Sequence, residues 1–201
     1  ALNQPKALPV VDGKGYLYLS GVTGNYASVP DPLGSLGDFT MQIDGLNAGA
    51  VRPAGLHTLM SQYEGAQLSF LLRISAAGEI YLDYVGSAGS EGHGSTAVPT
   101  DTVGIRVTRV GTLITYWVDT GNGYVSHATD TCLINPLTNT SNELEIGSFA
   151  TGTSQPLLGK IGQARIWDNG TQAGDPVLDV DFTATNIRHG DTKFKCATGQ
   201  T

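Results

Sequence analysis

Apolar and polar residues alternate in short stretches along most of the chain. Residues 39–43 and 68–74 show the pattern most clearly, with Phe, Met, Ile or Leu at every second position. Because successive side chains of a β-strand point to opposite faces, this period of two predicts strands with one buried face. Alternation and short apolar runs predict further strands at residues 16–19, 26–29, 80–84, 103–107, 113–118, 124–125, 144–146, 161–167 and 177–182.

Turn-forming residues separate these stretches. Residues 76–78 (AAG) lie between two predicted strands and indicate a hairpin, and Gly111 and residues 119–123 indicate two further turns. The glycine-rich segment 86–95 predicts a flexible or functional loop, since no P-loop pattern and no helix follows it.

The pattern predicts an all-β protein. No window repeats apolar residues with helical spacing over three turns, and roughly a dozen short strands with regular turns are typical of a sandwich or barrel. We expect one domain at residues 16–184, an N-terminal extension at 1–15, and at 185–201 a C-terminal extension or the start of a further module.

Composition narrows the function classes. The chain has 201 residues, of which 40% are hydrophobic and 14% charged, and its net charge is −7. This acidity disfavours nucleic acid and anionic membranes as partners. No apolar run approaches the roughly 18 residues of a membrane span, so no membrane insertion is expected. Cys132 and Cys196 are compatible with one disulfide or with two buried thiols.

Four segments, in order, resemble concanavalin A-like lectin/glucanase domains of the laminin-G-like type. They are residues 18–31 (YLSGVTGNYASVPD), 37–43 (GDFTMQI), 144–147 (LEIG) and 159–167 (GKIGQARIW). The resemblance implies an antiparallel two-sheet jelly-roll sandwich with one concave and one convex sheet. Trp167, which ends the last segment, is expected in the core. The fold serves lectins, glucanases and adhesive modules, so function has to be argued from sites.

A narrower resemblance is to copies of this domain in bacteriophage virion proteins, such as tail and receptor-binding proteins. It rests on the opening segment and on residues 176–184 (PVLDVDFTA). It implies a non-catalytic virion structural or surface-adhesion domain, in a virion or extracellular, whose partners are cell-surface glycans, other virion proteins or further copies of itself. The alternative is a carbohydrate-binding module of a secreted bacterial enzyme or adhesin, and a glycoside hydrolase is the third hypothesis.

Catalysis of glycoside hydrolysis requires two carboxylates on either side of the scissile bond. Glu143 and Glu145 are two residues apart and would share a strand face, and Glu79 and Asp83 would share another. No third acid continues the first pair, because residue 147 is glycine. We therefore predict no catalytic residue and no enzymatic activity.

Two kinds of binding residue follow from the resemblance and the composition. Laminin-G-like domains often hold Ca²⁺ with Asp and Asn side chains, and the candidates here are Asp31, Asp38, Asp168, Asn169 and Asp181. Sugars stack on exposed aromatic rings, and the candidates are Tyr63, Tyr84, Tyr116, Trp117 and Tyr124. Because Tyr116 and Trp117 are adjacent on one strand, we expect one in the core and the other on the outer face.

Overall fold

The computed structural model describes residues 6–7, 15–64, 67–86, 89–133 and 137–183. Two antiparallel six-stranded sheets pack face to face, and a three-stranded sheet lies beside them. This architecture confirms the predicted all-β sandwich. In the described part of the chain the helical residues form one four-residue helix, α1 (Ala48–Val51), so no helix there is long enough to cross a membrane.

The first sheet has the strand order β3-β12-β5-β6-β7-β8. Its strands are β3 (Ala27–Val29), β12 (Leu144–Ile146), β5 (His57–Glu64), β6 (Gln67–Ile74), β7 (Glu79–Gly86) and β8 (Gly89–Ala97). The second sheet has the order β11-β10-β9-β4-β14-β15. Its strands are β11 (Tyr124–Thr131), β10 (Leu113–Asp119), β9 (Gly104–Val110), β4 (Phe39–Asp44), β14 (Gln163–Trp167) and β15 (Leu178–Asp181). The small sheet joins β1 (Lys6–Ala7), β2 (Leu17–Ser20) and β13 (Leu158–Ile161).

The hydrophobic core fills the space between the two large sheets. The apolar half of each alternating stretch supplies it, as the fully buried Phe39, Met41 and Ile43 of β4 and Phe70 and Leu72 of β6 illustrate. Burying side chains of this size stabilises the fold by about 1.5–3 kcal/mol each. The polar half of the same strands consequently lies on the outer faces of the sandwich.

The prediction of a loop at residues 86–95 was wrong, because residues 89–97 form strand β8. Glycine alternates with polar residues in this strand, and without apolar residues the period of two is hidden. Gly92 and Gly94 pair with Asp83 and Tyr81 of β7, and a methyl group at Gly92 would lie 2.7 Å from the Asp83 carboxylate. The glycines therefore leave room for their larger neighbours, while the intervening residues of β8 face the interior.

Strand β5 was not predicted from the sequence. It carries two irregularities in its pairing with β6, and its buried residues include Thr58, Ser61 and Gln62. Each bulge reverses which side chains face the core, so the apolar residues of β5 do not alternate.

Trp167 is buried but is not part of the core between the sheets. It pairs with Thr40 on the outer side of the second sheet, and its Nε1 donates to the carbonyl oxygen of Gly174, 3.3 Å away. The tryptophan is therefore buried as expected, but a loop and not the opposite sheet covers its ring.

The remaining expectations concern the two terminal extensions and the two cysteines. Lys6–Ala7, in the predicted N-terminal extension, pairs with β2. The other residues of that extension up to residue 14, and residues 184–201 with Cys196, lie outside the described residues. Cys132 is buried, and its pairing with Cys196 stays untested.

Candidate functional site

The outer face of the second sheet carries a continuous row of polar and aromatic side chains. The row takes one residue from each strand, in the order Ser126, Trp117, Arg106, Gln42, Arg165 and Asp179. Residues directly opposite each other in an antiparallel pair lie on the same face and in contact distance. We call this set the cross-strand row.

Gln42 is the centre of the cross-strand row. Its Oε1 accepts hydrogen bonds from Arg106 Nε at 2.9 Å and from Gln172 Nε2 at 2.7 Å. Its Nε2 donates to Asp44 Oδ2 at 2.6 Å. Only 3% of Gln42 is exposed, so the amide holds its neighbours in place and is not itself a contact surface.

Asp44 is the anionic partner of this network. Its Oδ2 also accepts from Arg165 Nη2 at 2.6 Å, and its Oδ1 accepts from the Tyr124 hydroxyl at 2.5 Å. Charge-assisted bonds of this kind are the stronger ones in proteins, so they fix both the guanidinium and the phenol.

Tyr124 lies beneath the guanidinium of Arg106, whose central carbon is 3.9 Å from the ring centroid. Burial, followed by the charge of Asp44 and the hydrogen bond to it, raises the pKa of Tyr124 far above its ordinary value. The phenol therefore stays protonated and donates. Burial lowers the pKa of Arg106, and the neighbouring Tyr124 and Asp44 act against that lowering.

Trp117 provides the aromatic surface beside Arg106. It is half-buried, and its Nε1 donates to Thr108 Oγ1 at 3.0 Å. This bond fixes the orientation of the indole, which leaves part of its surface open to solvent next to the exposed end of the cross-strand row.

Gly104 is what allows Tyr124 to reach Asp44. A methyl group at Gly104 would lie 2.5 Å from the Tyr124 hydroxyl oxygen and 3.0 Å from its Cζ. We expect Gly104→Ala to displace the ring, to break the bond to Asp44 and to lower the free energy of unfolding by about 1 kcal/mol. A spectrophotometric titration should then show one more tyrosine ionising near its ordinary pH of about 10.

The control for this change is Gly55→Ala, whose methyl would meet no atom within 4 Å. The titration curve of that variant should match the wild type. An unchanged curve for Gly104→Ala would show that the glycine is not needed for the position of Tyr124.

The structure separates the five predicted aromatic platforms. Tyr84 and Tyr116 are fully buried between the sheets, so their proposal as ligand-binding residues is corrected. Tyr63 lies against Phe149, with ring centroids 5.2 Å apart, on the outer side of the first sheet. Only Trp117 and Tyr124 of the five share the cross-strand face.

The polar members of the site were not predicted from the sequence. Gln42, Asp44, Arg106 and Arg165 occupy the polar positions of alternating strands. Their period of two showed that they are on the outer face. The pairing of strands more than 60 residues apart, which brings them together, leaves no local signal in the sequence.

The candidate calcium ligands do not meet at a common centre. Asp31, Asp38, Asn169 and Asp181 accept hydrogen bonds from backbone N–H groups of nearby turns, those of Leu33, Gly111, Thr171 and Thr183, respectively. Asp168 is exposed. Within the described residues no three His, Cys, Asp or Glu side chains are placed to hold a metal ion. The structure therefore does not gather the candidate aspartates into one site, and calcium binding stays a prediction.

Three of the four carboxylates in the two candidate pairs have structural partners. Glu145 is 3% exposed and accepts from the backbone N–H groups of Thr151 and Gly152. Asp83 forms an ion pair with Arg73. Glu79 accepts hydrogen bonds from Ser75 and Tyr81 on the outer side of the first sheet.

No family model matches this sequence, and no curated protein matches it. Solved structures share its fold. A carbohydrate-binding module (CBM40) of the Ruminococcus gnavus IT-sialidase, bound to α2,3-sialyllactose, aligns with a TM-score of 0.54 and 14% identity over 76% of this chain and 92% of that chain.

Two other structures of different origin align similarly. The enzymatically active domain of tailspike protein 2 of bacteriophage CBA120 aligns with a TM-score of 0.57 and 11% identity over 89% of this chain and 32% of that chain. Domains LG4-5 of the mouse laminin α1 chain align with a TM-score of 0.52 and 12% identity over 87% of this chain and 43% of that chain. Together with the two antiparallel sheets, these similarities show that the chain has the concanavalin-like, laminin-G-like jelly-roll fold.

Proposed function

We propose that this domain binds carbohydrate on the outer face of its second sheet and acts in surface adhesion without catalysis. The observation that carries the proposal is the cross-strand row, in which Arg106 lies next to Trp117 and Gln42 separates Arg106 from Arg165. Hydrogen bonds to Thr108, Gln42 and Asp44, respectively, fix the side chains of Trp117, Arg106 and Arg165 before any ligand arrives.

The chemistry of the row suits sugars. The apolar face of a pyranose packs against an indole, and its hydroxyl groups accept from guanidinium and donate to carboxylate oxygens. Because strands are about 4.8 Å apart, the three steps from Trp117 to Arg165 span roughly 14 Å, which is longer than one hexose. Side chains that are already ordered lose little entropy on binding, and this favours affinity.

The comparisons support this proposal through the neighbours' own functions. One neighbour is a carbohydrate-binding module determined with sialyllactose, and another belongs to a phage tailspike. The sequence resemblance to virion domains favours a virion or extracellular adhesion domain. The alternative, a module of a secreted bacterial enzyme, is favoured by the coverage of the sialidase module, which this domain matches over 92% of its length.

Absence of catalysis is part of the proposal. Its support is that Glu145 is used to hold a loop and that Asp83 is paired with Arg73. Neither carboxylate pair lies on the face that carries Trp117.

The test is a glycan array followed by calorimetry, each with and without Ca²⁺. We expect the wild type to bind a subset of glycans and Trp117→Ala to bind the same glycans roughly tenfold or more weakly, as for an aromatic side chain at the centre of an interface. Tyr63→Ala removes an aromatic ring from the opposite sheet and should leave affinity unchanged. Absence of any bound glycan, or equal affinities of the two variants, would contradict the proposal.

A further inference from the structure

A polar cluster joins the edges of the two large sheets, away from the cross-strand row. Strand β8 is the edge of the first sheet and β11 is the edge of the second. His93 of β8 lies between Glu91 of its own strand and Asp130 of β11. Only 9% of His93 is exposed, and its ring stacks on Tyr84 with centroids 5.8 Å apart.

Both ring nitrogens of His93 face carboxylate oxygens. Nε2 is 2.8 Å from Glu91 Oε2, and Nδ1 is 3.0 Å from Asp130 Oδ2. An ionised carboxylate only accepts hydrogen bonds, and a neutral imidazole has one donor nitrogen and one acceptor nitrogen. The two bonds can therefore exist together only when the ring is protonated, and a neutral ring turns a lone pair towards one of the carboxylates.

The surroundings keep both carboxylates ionised. Burial raises the pKa of Glu91, but hydrogen bonds from His93, the Leu133 N–H and Tyr84 outweigh it and the pKa is lowered. Burial likewise raises the pKa of Asp130, but hydrogen bonds from the Thr131 N–H and His93 outweigh it.

Two tyrosines, an arginine and a cysteine also lie at this cluster. Tyr84 of β7 donates to Glu91 Oε2 at 3.1 Å, and burial raises the pKa of its phenol, which stays protonated. Burial also raises the pKa of Tyr116 on β10. Arg109 of β9 lies 6.0 Å from the Tyr84 ring centroid and donates through Nε to Cys132 Sγ at 3.2 Å.

We infer that His93 is a pH-dependent clasp between the two sheets. The imidazolium ties β8 to β11 across the sandwich edge, and loss of its proton breaks one of the two bonds and loosens both edge strands. The clasp needs a proton on both ring nitrogens, so acidic pH favours it over alkaline pH. The clasp is separate from the proposed glycan site and can be tested without a ligand.

Amide hydrogen exchange read by mass spectrometry tests the clasp on the whole chain. We compare about pH 5.5 with about pH 8.5, the span over which histidine side chains in general change charge, after correction for the intrinsic exchange rate. We expect wild-type protection of β8 and β11 to fall roughly tenfold at the higher pH, as for the loss of one charge-assisted hydrogen bond. Protection of β4 and β6, in the sheet interiors, should stay constant.

His93→Gln should lose this pH response in β8 and β11. His127→Gln is the matched control, because His127 also joins β11 to β8 but faces the hydroxyl and carbonyl oxygens of Thr96, not a carboxylate. Asp130→Asn gives a second variant if His93→Gln fails to fold, and its response should shrink in the same way. A wild type whose edge strands do not respond to pH, or a His93→Gln or Asp130→Asn variant that keeps the full response, would overturn the inference.

Discussion

Replacing Glu145 by alanine is expected to lower the free energy of unfolding by about 2–4 kcal/mol. The carboxylate is 3% exposed and accepts hydrogen bonds from Thr151 N at 2.6 Å and Gly152 N at 2.9 Å. Alanine would leave these two N–H groups without the acceptor that now satisfies them, and the Gly152 bond is buried.

Glu145 holds its loop in a strained conformation. Ala150 and Thr151 have φ angles of 55° and 56°, a left-handed conformation that costs a non-glycine residue roughly 1–2 kcal/mol. Such a conformation persists only while its surroundings stabilise it. Urea denaturation at constant pH, followed by circular dichroism, measures the loss.

Glu143 is the matched control for this prediction, because it is two residues away and exposed. Glu143→Ala should change stability by less than about 0.5 kcal/mol. Similar losses for the two variants would show that the buried hydrogen bonds are not the cause.

The conservative variants Glu143→Gln and Glu145→Gln address catalysis, since a glycan-cleaving activity that either of them abolishes would refute the non-enzymatic part of the proposed function.

The fold was predictable from the sequence because buried apolar residues recur at every second position of its strands. β4 shows this, with Phe39, Met41 and Ile43 inside and polar residues between them. The hairpin of β6 and β7 was equally readable, since Gly78 adopts the positive φ of 79° that its turn requires. Both features are local, and local features survive in a single sequence.

The prediction failed where alternation carried no apolar signal. β8 alternates glycine with Glu91 and His93, so a buried polar edge looked like a flexible loop. The position of Trp167 outside the space between the sheets was not predicted for another reason. The strand was correctly located, but the covering loop around Gly174 buries an outward-facing ring, and sequence alone does not show which loops fold over a sheet.

The candidate site was half predictable. Trp117 and Tyr124 were proposed as platforms because they are aromatic. Tyr84 and Tyr116 were proposed for the same reason, but they lie in the core. Separating them required the pairing register. The bulge in β11 opposite Tyr116 and Trp117 determines which residues of that edge strand join the outer face.

Gly45→Ala should be among the most destabilising single-methyl additions to this chain, at about 3 kcal/mol. Gly45 has a φ of 74°, where alanine costs roughly 1–2 kcal/mol. The new methyl would also lie 2.7 Å from the backbone nitrogen of Gly162 and 2.8 Å from its Cα. Because both are backbone atoms, the contact can be relieved only if the backbone moves. Overpacking of this kind costs about a further 1–3 kcal/mol.

Gly24→Ala isolates the conformational part of that cost. Its φ of 80° is nearly the same, but nothing lies within 4 Å of the added methyl. We expect this variant to lose only about 1 kcal/mol. Gly45→Ala should also weaken glycan binding, since Gly162 donates to the carbonyl oxygen of Asp44 and the displaced backbone carries the carboxylate that holds Arg165 and Tyr124. Equal unfolding free energies of the two variants would show that the corner between β4 and β14 is softer than its close packing indicates.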